Sequence, residues 1–394
     1  MDTENMYFLK YVEQYGGLVT DTENFPFELK RFLTECQYSI KEGVNFVSNY
    51  EEIYNFRPEF IVGFLRSVRK TAFTCTNDAN NKCFIGISLG LTLSIHNILY
   101  EALRADAGFL DYYLKDVYKE IGKEYYKTIR PSIINPADID GLVEQFCQCR
   151  QYDIDDEKRQ TIDAIIFTSI DFICKHELAH FFRSHSTFLY DGVTLKHFDE
   201  EYSNLYFASN IDMDIHRRLF MKAIESDADT QAIIMALREL ESIFIDDYNT
   251  DKDIDQDIIL DTLFEFGLAL GVLFLCLDNQ LNIEIQFKST HPPAIVRFQN
   301  AVYIMQRYFE TIYDSDRSNL QEENLNILLE IENLALLMGY PEGLWLRFEK
   351  PQDDKYLDLD DMIKFWNKDH ASTEEILKQI DEHATYDFIG INIT

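Results

Sequence analysis

The pentapeptide His176-Glu177-Leu178-Ala179-His180 constrains this chain more than any other feature, because its residues can act together only on a helix. At 3.6 residues per turn, His176 and His180 stack on one helical face, so two ring nitrogens can reach one metal ion. Glu177 lies about 100° around the helix, where its carboxylate can take a proton from water at the metal but does not easily ligate the ion. The pentapeptide therefore predicts a helix that carries a hydrolytic metal site.

The residues around the pentapeptide favour a helix over 155–185. This segment has an acidic start, contains no Gly or Pro, and distributes its apolar residues over a broad surface. A chain with nine histidines in 394 residues is expected to contain only about 0.02 chance matches to HExxH. The alternative interpretation is a core helix whose two histidines lie four residues apart by accident.

A catalytic zinc ion needs a third protein ligand, and the residues directly after His180 do not supply one. In the extended pattern HExxHxxGxxH, a Gly turns the chain and a third His follows. Here Arg183 occupies the Gly position and Ser186 the final His position, which excludes that class. His185 lies one residue too early for the pattern, and we predict that it is on the surface.

The better candidate for the third ligand is Glu225, in a segment that is predicted to form a second helix. Glu225 and Asp229 are four residues apart and share a helical face, whereas Asp227 points nearly opposite. Glu225 would complete a His, His, Glu site, and Asp229 could accept the second N–H of a ligand histidine, which fixes its tautomer. The alternative is a solvated acidic helix, which is common in a chain this acidic.

A third segment, Ser-Thr-His-Pro-Pro-Ala-Ile-Val-Arg-Phe over 289–298, supplies candidates for stabilising an oxyanion. The two prolines mark a sharp entry into a helix and would hold His291 at its lip, with Arg297 inside it. Tyr202 and Tyr206 are weaker candidates for the same role. His followed by Pro-Pro is otherwise only a helix start.

The three segments, in this order, resemble those of a known peptidase group. HELAHFFRSH, ESDAD and STHPPAIVRF are similar to the HExxH, ExxxD and THPxxxxR motifs of gluzincin peptidases related to the CAAX prenyl proteases and the membrane heat-shock proteases. The layout resembles more closely the bacterial phage-exclusion peptidase Lit family. The gluzincin resemblance covers about residues 83–310. It implies a zincin-like core with HExxH on a central helix and zinc at His176, His180 and Glu225. The Lit resemblance implies cleavage of elongation factor Tu on a signal from a phage-encoded peptide.

The overall pattern predicts a mainly α protein with a small β-sheet, an α+β fold without Gly/Ser-rich linkers or repeats. We expect an N-terminal helical region over 1–82, a zincin-like core over 83–313 and an acidic helical C-terminal region over 314–394, packed as one unit. A strand is predicted over 83–89 and a hairpin over 187–198. Helices are predicted over 26–48, 58–70, 90–122, 155–185, 217–243, 257–277, 292–313, 320–338 and 373–384.

Composition limits the partners and the compartment. The chain has 69 acidic and 36 basic residues and a net charge of −33, which makes nucleic-acid binding through phosphates unfavourable. Solvated acidic faces are the default interpretation of this charge, with a basic protein partner as the alternative, whereas an activating peptide is what the Lit resemblance implies. Seven cysteines without regular spacing predict a reducing cytoplasm. No signal peptide or convincing membrane span is visible.

Two functions from different classes follow from these features. The first is a zinc-dependent endopeptidase that acts on a protein or peptide substrate, with Glu177 as general base. The second is a zincin-fold binding or scaffold protein whose zinc site is structural or latent. Hydrolysis of a non-peptide amide would use the same residues as the first.

Overall fold

The computed structural model shows a mainly helical protein with a small β-sheet, which confirms the predicted fold class at that level. It describes residues 12–13, 15–19, 24–50, 59–76, 82–105, 138–183, 185, 189–190, 193–194, 197–199, 215–248, 256–277, 292–313, 315–338, 340 and 378. The helices in these ranges are α1 (Phe27–Tyr50), α2 (Leu89–Ala105), α3 (Ile139–Cys149), α4 (Asp156–Phe182), α5 (Ile215–Tyr248), α6 (Gln256–Leu277), α7 (Ala294–Ile312) and α8 (Arg317–Leu337). The strands are β1 (Glu59–Leu65), β2 (Ala72–Thr76), β3 (Lys82–Ser88), β4 (Leu189–Tyr190), β5 (Val193–Thr194) and β6 (His197–Asp199).

Most predicted elements lie where the hydrophobic pattern places them, and one is wrong. Residues 58–70 were expected to form a helix, but 59–65 form β1 instead. The segment combines an apolar run with β-branched Ile61 and Val62, and a run this short does not distinguish a buried strand from a helix by periodicity. The predicted N-terminal region over 1–82 is therefore not purely helical. The helix expected over 373–384 lies outside the described residues except for Lys378, and so does the part beyond 105 of the helix expected over 90–122.

Four strands form one sheet in the order β1-β3-β2-β6. Strand β1 is parallel to β3, and β2 is antiparallel to both β3 and β6. The outer side of β1 is covered by residues 17–19, since the Arg66 N–H donates to the Gly17 carbonyl at 2.9 Å and Val19 to Phe64 at 2.8 Å. Strands β4 and β5 pair as the predicted hairpin. Helix α4 packs against β2 and β3, so the pentapeptide lies beside the sheet.

A single large apolar core joins the described parts of all three predicted regions. It takes side chains from α1, from α4 and from α8, for example Phe32, Ile166 and Ile331. A second, smaller cluster lies on the other face of the sheet, where Tyr15 stacks on Phe73 with ring centroids 5.0 Å apart. The packing of α1 and α8 on the same core as α4 means that the helix of the pentapeptide is held from several sides.

Helix α6 is the most apolar helix of the described ranges. By length and composition it could cross a membrane, with a mean hydropathy of 2.1 in its most apolar window. That window is 72% buried inside the protein, and a core helix of a soluble protein meets the same criteria. Helix α6 packs against α4, α7 and α8.

All seven cysteines are free thiols, and the cytoplasmic location expected from them stays a prediction.

A buried ion pair fixes α4 to its neighbours just before the pentapeptide. Lys175 is fully buried and pairs with Asp171 on α4, and its Nζ lies 2.5 Å from Glu239 Oε2 on α5. Helix α1 crosses at Gly43, where a Cβ atom would overlap the Asp171 carboxylate and lie 3.0 Å from Lys175 Nζ. The absence of a side chain at Gly43 allows this close approach, and the ion pair then links α4 to α5.

Candidate metal centre

The helix that carries the pentapeptide forms as the sequence predicts. Its N-cap is Asp155, whose side chain accepts a hydrogen bond from the backbone N–H of Glu157 at 3.0 Å. Acidic residues in the first turn also complement the helix dipole. The helix continues to Phe182, so that His176, Glu177 and His180 all lie on regular helix and are each 1% exposed. The local pattern therefore delivers both imidazoles to one buried face.

The structure brings Glu225 of α5 to the two histidines, as predicted. The Nε2 atoms of His176 and His180 lie 3.1 Å apart. Glu225 Oε2 is 3.3 Å from His176 Nε2, and Glu225 Oε1 is 3.7 Å from His180 Nε2. All three residues are buried, and one ligand atom from each lies within 4.8 Å of the others. Within the described ranges, no other group of His, Cys, Asp or Glu side chains meets this criterion.

The donor set fits zinc. Two imidazole nitrogens and one carboxylate are a common ligand set of catalytic zinc, which leaves a fourth position open. Zinc–ligand bonds of about 2.0–2.2 Å in a tetrahedron place neighbouring donors about 3.3–3.6 Å apart, close to the separations found here. Calcium and magnesium prefer oxygen ligands, and a site with two imidazoles does not suit them. His176, His180 and Glu225 would therefore hold a zinc ion with little rearrangement.

Behind His176 lies Asp229, the residue that the sequence predicts as its partner. Asp229 Oδ1 is 2.9 Å from His176 Nδ1, the ring nitrogen that does not face the other donors. Arg297 of α7 binds the same carboxylate through two hydrogen bonds. Its Nε donates to Oδ2 and its Nη2 donates to Oδ1, both at 2.8 Å. The guanidinium also lies 4.8 Å from the ring centroid of Phe274. Asp229 is therefore held in place to orient His176.

Behind His180 lies a second arrangement that the sequence analysis missed. His180 Nδ1 is 2.9 Å from His185 Nδ1, and His185 Nε2 is 3.0 Å from Asp227 Oδ2. Arg183 donates to Asp227 from Nε at 2.8 Å and from Nη2 at 3.2 Å. The surface position predicted for His185 is wrong, because its exposed fraction is 0%. A histidine that binds a metal through Nε2 needs an acceptor for its Nδ1 proton, and this requirement is the signal that points to these residues.

The electrostatics of the site favour a cation. Burial acts to lower the pKa of His176, but the carboxylates of Asp229 and Glu225 outweigh it and raise that pKa well above its usual value. Burial also acts to raise the pKa of Asp229, yet the Arg297 guanidinium and His176 hold it below its usual value. Asp229 is therefore ionised at neutral pH. A pocket of carboxylates that attracts a proton to His176 will also attract a metal ion.

The structure gives Arg297 a position that differs from the one predicted. We expected Arg297 or His291 to stabilise an oxyanion, but Arg297 binds Asp229 on the Nδ1 side of His176, away from the converging Nε2 atoms. This geometry favours a role in holding Asp229. His291, Tyr202 and Tyr206 lie outside the described residues, so their predicted roles stay predictions.

We expect Arg297→Leu to lower the free energy of unfolding of the metal-free protein by about 3–5 kcal/mol, because it leaves the buried Asp229 charge without its main partner. Arg297→Lys keeps the charge but loses the two-pronged geometry, so its effect should be smaller. Urea unfolding curves measure both. Arg31→Leu is the matched control, since Arg31 forms an exposed ion pair with Glu35 and should leave stability unchanged. Equal effects of Arg297→Leu and Arg31→Leu would contradict the prediction.

Comparison of the chain with family models, with curated proteins and with solved structures found no match. The resemblance to the gluzincin peptidases and to the Lit family therefore stays a prediction that rests on the three sequence segments.

Proposed function

We propose that this protein is a zinc-dependent endopeptidase with a zincin-like core. The observation that carries the proposal is the convergence of His176, His180 and Glu225 in a buried site, with Glu177 beside the two histidines on the same helix. A structural zinc site usually has four protein ligands, whereas a catalytic site has three and an open position. Among the described residues three donors converge, with a glutamate adjacent to them, and this arrangement supports catalysis.

Each residue has a part in the proposed reaction. When bound, zinc supplies a positive charge that lowers the pKa of water toward neutrality and polarises an amide carbonyl. Glu177 accepts a proton at its carboxylate as water attacks the carbonyl carbon, and passes it to the nitrogen of the leaving amine. His176, His180 and Glu225 hold the ion through their converging atoms. Asp229 orients His176, and Arg297 holds Asp229.

The sheet supports the choice of an extended peptide as substrate. Helix α4 packs against β2 and β3, and among the described strands β6 pairs on one side only, with β2. Strand β6 belongs to the long segment between His180 and Glu225, which is longer than a simple connection requires. Strand β6 lies beside β2 at the edge of the described sheet, and an edge strand can pair with the backbone of an extended substrate. Cleavage of elongation factor Tu, implied by the Lit resemblance, is one specific form of this proposal.

Zinc content separates the peptidase from a metal-free scaffold protein. We expect about one equivalent of zinc in the purified wild-type protein and less than about half an equivalent after His176→Ala or His180→Ala. Metal analysis of the desalted proteins measures this. The matched control is His96→Ala, because His96 is also fully buried but pairs with Asn97 on α2. A wild-type protein without zinc would contradict the proposed function.

Mapping of new protein N-termini tests the reaction and identifies the substrate. Cells that express the wild type are compared with cells that express Glu177→Gln, in which the base is removed but the ligands remain. Peptide cleavage predicts new N-termini in the first cells alone. A zinc-loaded protein that yields none of them, with or without a candidate activating peptide or basic partner, would favour the latent scaffold. Release of ammonia or a small amine would favour a non-peptide amide.

A further inference from the structure

His185 has both ring nitrogens engaged, and neither faces the metal donors. Its Nδ1 lies 2.9 Å from His180 Nδ1 and its Nε2 lies 3.0 Å from Asp227 Oδ2. Its ring is also edge-on to that of His180, with centroids 5.0 Å apart. The residue follows the end of α4, so the helical spacing that governs His176 and His180 does not apply to it. His185 therefore touches a ligand without being one.

The positions of the protons follow from these contacts. If His180 presents the lone pair of Nε2 to a metal, its proton must be on Nδ1. That proton faces His185 Nδ1, which must then be the acceptor, so His185 carries its own proton on Nε2. The Nε2–H in turn faces Asp227 Oδ2. With these tautomers of His180 and His185, every hydrogen-bond donor faces an acceptor. Reversing either tautomer would bring two protons or two lone pairs together.

Asp227 and Arg183 determine which ring nitrogen of His185 carries the proton. Arg183 is the largest fully buried side chain of the described residues, and its Nε and Nη2 both donate to the Asp227 carboxylate. The Arg183 guanidinium is always charged, and its two contacts with the Asp227 oxygens are those of a charged Arg–carboxylate pair. An ionised Asp227 can only accept hydrogen bonds. It therefore requires the Nε2–H tautomer of His185.

On the basis of the proposed zinc site, we infer that His185 is a positioning residue for the ligand His180. It accepts the Nδ1 proton of His180 through its own Nδ1, and the contact to Asp227 keeps it in the tautomer that can do so. The two ligand histidines are thus supported differently. His176 is backed directly by a carboxylate, whereas His180 is backed by a second imidazole that stands between it and its carboxylate.

Two amide substitutions at the same position test this inference. An Asn side chain places an oxygen near the position of the histidine Nδ1, whereas a Gln side chain places its polar atoms near Nε2. We expect His185→Gln to weaken zinc affinity about 10- to 100-fold, the usual effect of losing such a supporting contact, and His185→Asn to weaken it less. Competition with a chromophoric chelator measures the affinities. The visible absorption spectrum of the cobalt-substituted proteins should shift for His185→Gln and stay close to wild type for His185→Asn.

The control and the contradicting outcomes separate this inference from the proposed function. His96→Gln removes a buried histidine that pairs with Asn97 and is not one of the converging donors, so it should leave zinc affinity and the cobalt spectrum unchanged. If the wild-type protein binds zinc but His185→Asn and His185→Gln bind it with equal affinity, the inference alone is overturned. If His185→Gln and His185→Asn lose equal thermal stability and keep the wild-type cobalt spectrum, His185 has only a structural role. That outcome also overturns the inference. Wild-type protein that binds no zinc would overturn both proposals.

Discussion

Glu177→Gln should bind zinc as the wild type does and lower the rate of amide hydrolysis by about 10²- to 10⁴-fold. Glutamine has the same shape as glutamate, so the buried position next to His176 stays filled. It cannot accept the proton of the attacking water, and it cannot return that proton to the leaving amine. Because the metal ligands are untouched, the loss should appear in kcat and only slightly in KM. The substrate is a peptide that spans a cleavage site found by mapping new N-termini.

The matched control for this change is Glu332→Gln. Glu332 is a buried glutamate on α8, remote in sequence from the donors, and its substitution should leave the rate within about twofold of wild type. Metal analysis of the same samples shows whether zinc is retained. A Glu177→Gln protein with full zinc content and undiminished cleavage would remove Glu177 from the mechanism. A protein that lost its zinc would instead place Glu177 among the residues that hold the ion.

The second large effect concerns stability. Zinc should raise the free energy of unfolding by about 4 kcal/mol when the free ion is about 1,000-fold above its Kd, because the converging donors exist only in the folded chain. His176 and His180 come from α4 and Glu225 from α5, so the ion would link two packed helices. Thermal unfolding of the metal-free protein at a series of buffered zinc concentrations measures the rise. Magnesium at the same concentrations should produce none, because it prefers an oxygen-rich octahedral site.

Two substitutions on α5 locate the stabilising site. Glu225→Ala removes a ligand and should abolish the zinc-dependent rise, even though its metal-free protein still unfolds cooperatively. Glu241→Gln changes another glutamate of α5, which accepts a hydrogen bond from Tyr308 at 2.9 Å, and should preserve the full rise. The comparison uses the increment that zinc adds, so a lower starting stability of either variant does not affect it. An equal increment in Glu225→Ala would show that zinc stabilises the protein from another site.

The parts of the site that the sequence predicts are those set by helical spacing. The i, i+4 relation brings His176 and His180 together, and the same relation on α5 gives Glu225 and Asp229 a common face. Each pair combines a fixed spacing with a specific residue type, and few other segments of the chain satisfy both conditions. In the structure, the pair on α4 and the pair on α5 lie in contact with each other. His180 and Glu225 are separated by 44 residues. Their pairing is still predicted, because it follows from the residue types that bind zinc and not from distance in the sequence.

The parts that the sequence does not predict depend on where a helix ends. His185 was expected on the surface because it misses the position of a third ligand, but α4 stops at Phe182 and the chain then turns toward Asp227. Strand β1 shows the same limit in another form, since its short apolar run suits a helix or a buried strand equally. Arg297 was assigned to the reacting side of the metal, whereas tertiary packing places it behind His176.

The buried carboxylates of the site have a consequence for the charge of the ion. Glu177, Glu225, Asp227 and Asp229 can carry four negative charges, and Arg183 and Arg297 balance two of them. With neutral histidines, two negative charges remain over these residues. A divalent cation brings the set to electroneutrality, whereas a monovalent cation would leave an unbalanced charge in a medium of low polarity. Charge number, in addition to donor type, thus supports a divalent cation such as zinc as the occupant of the proposed centre.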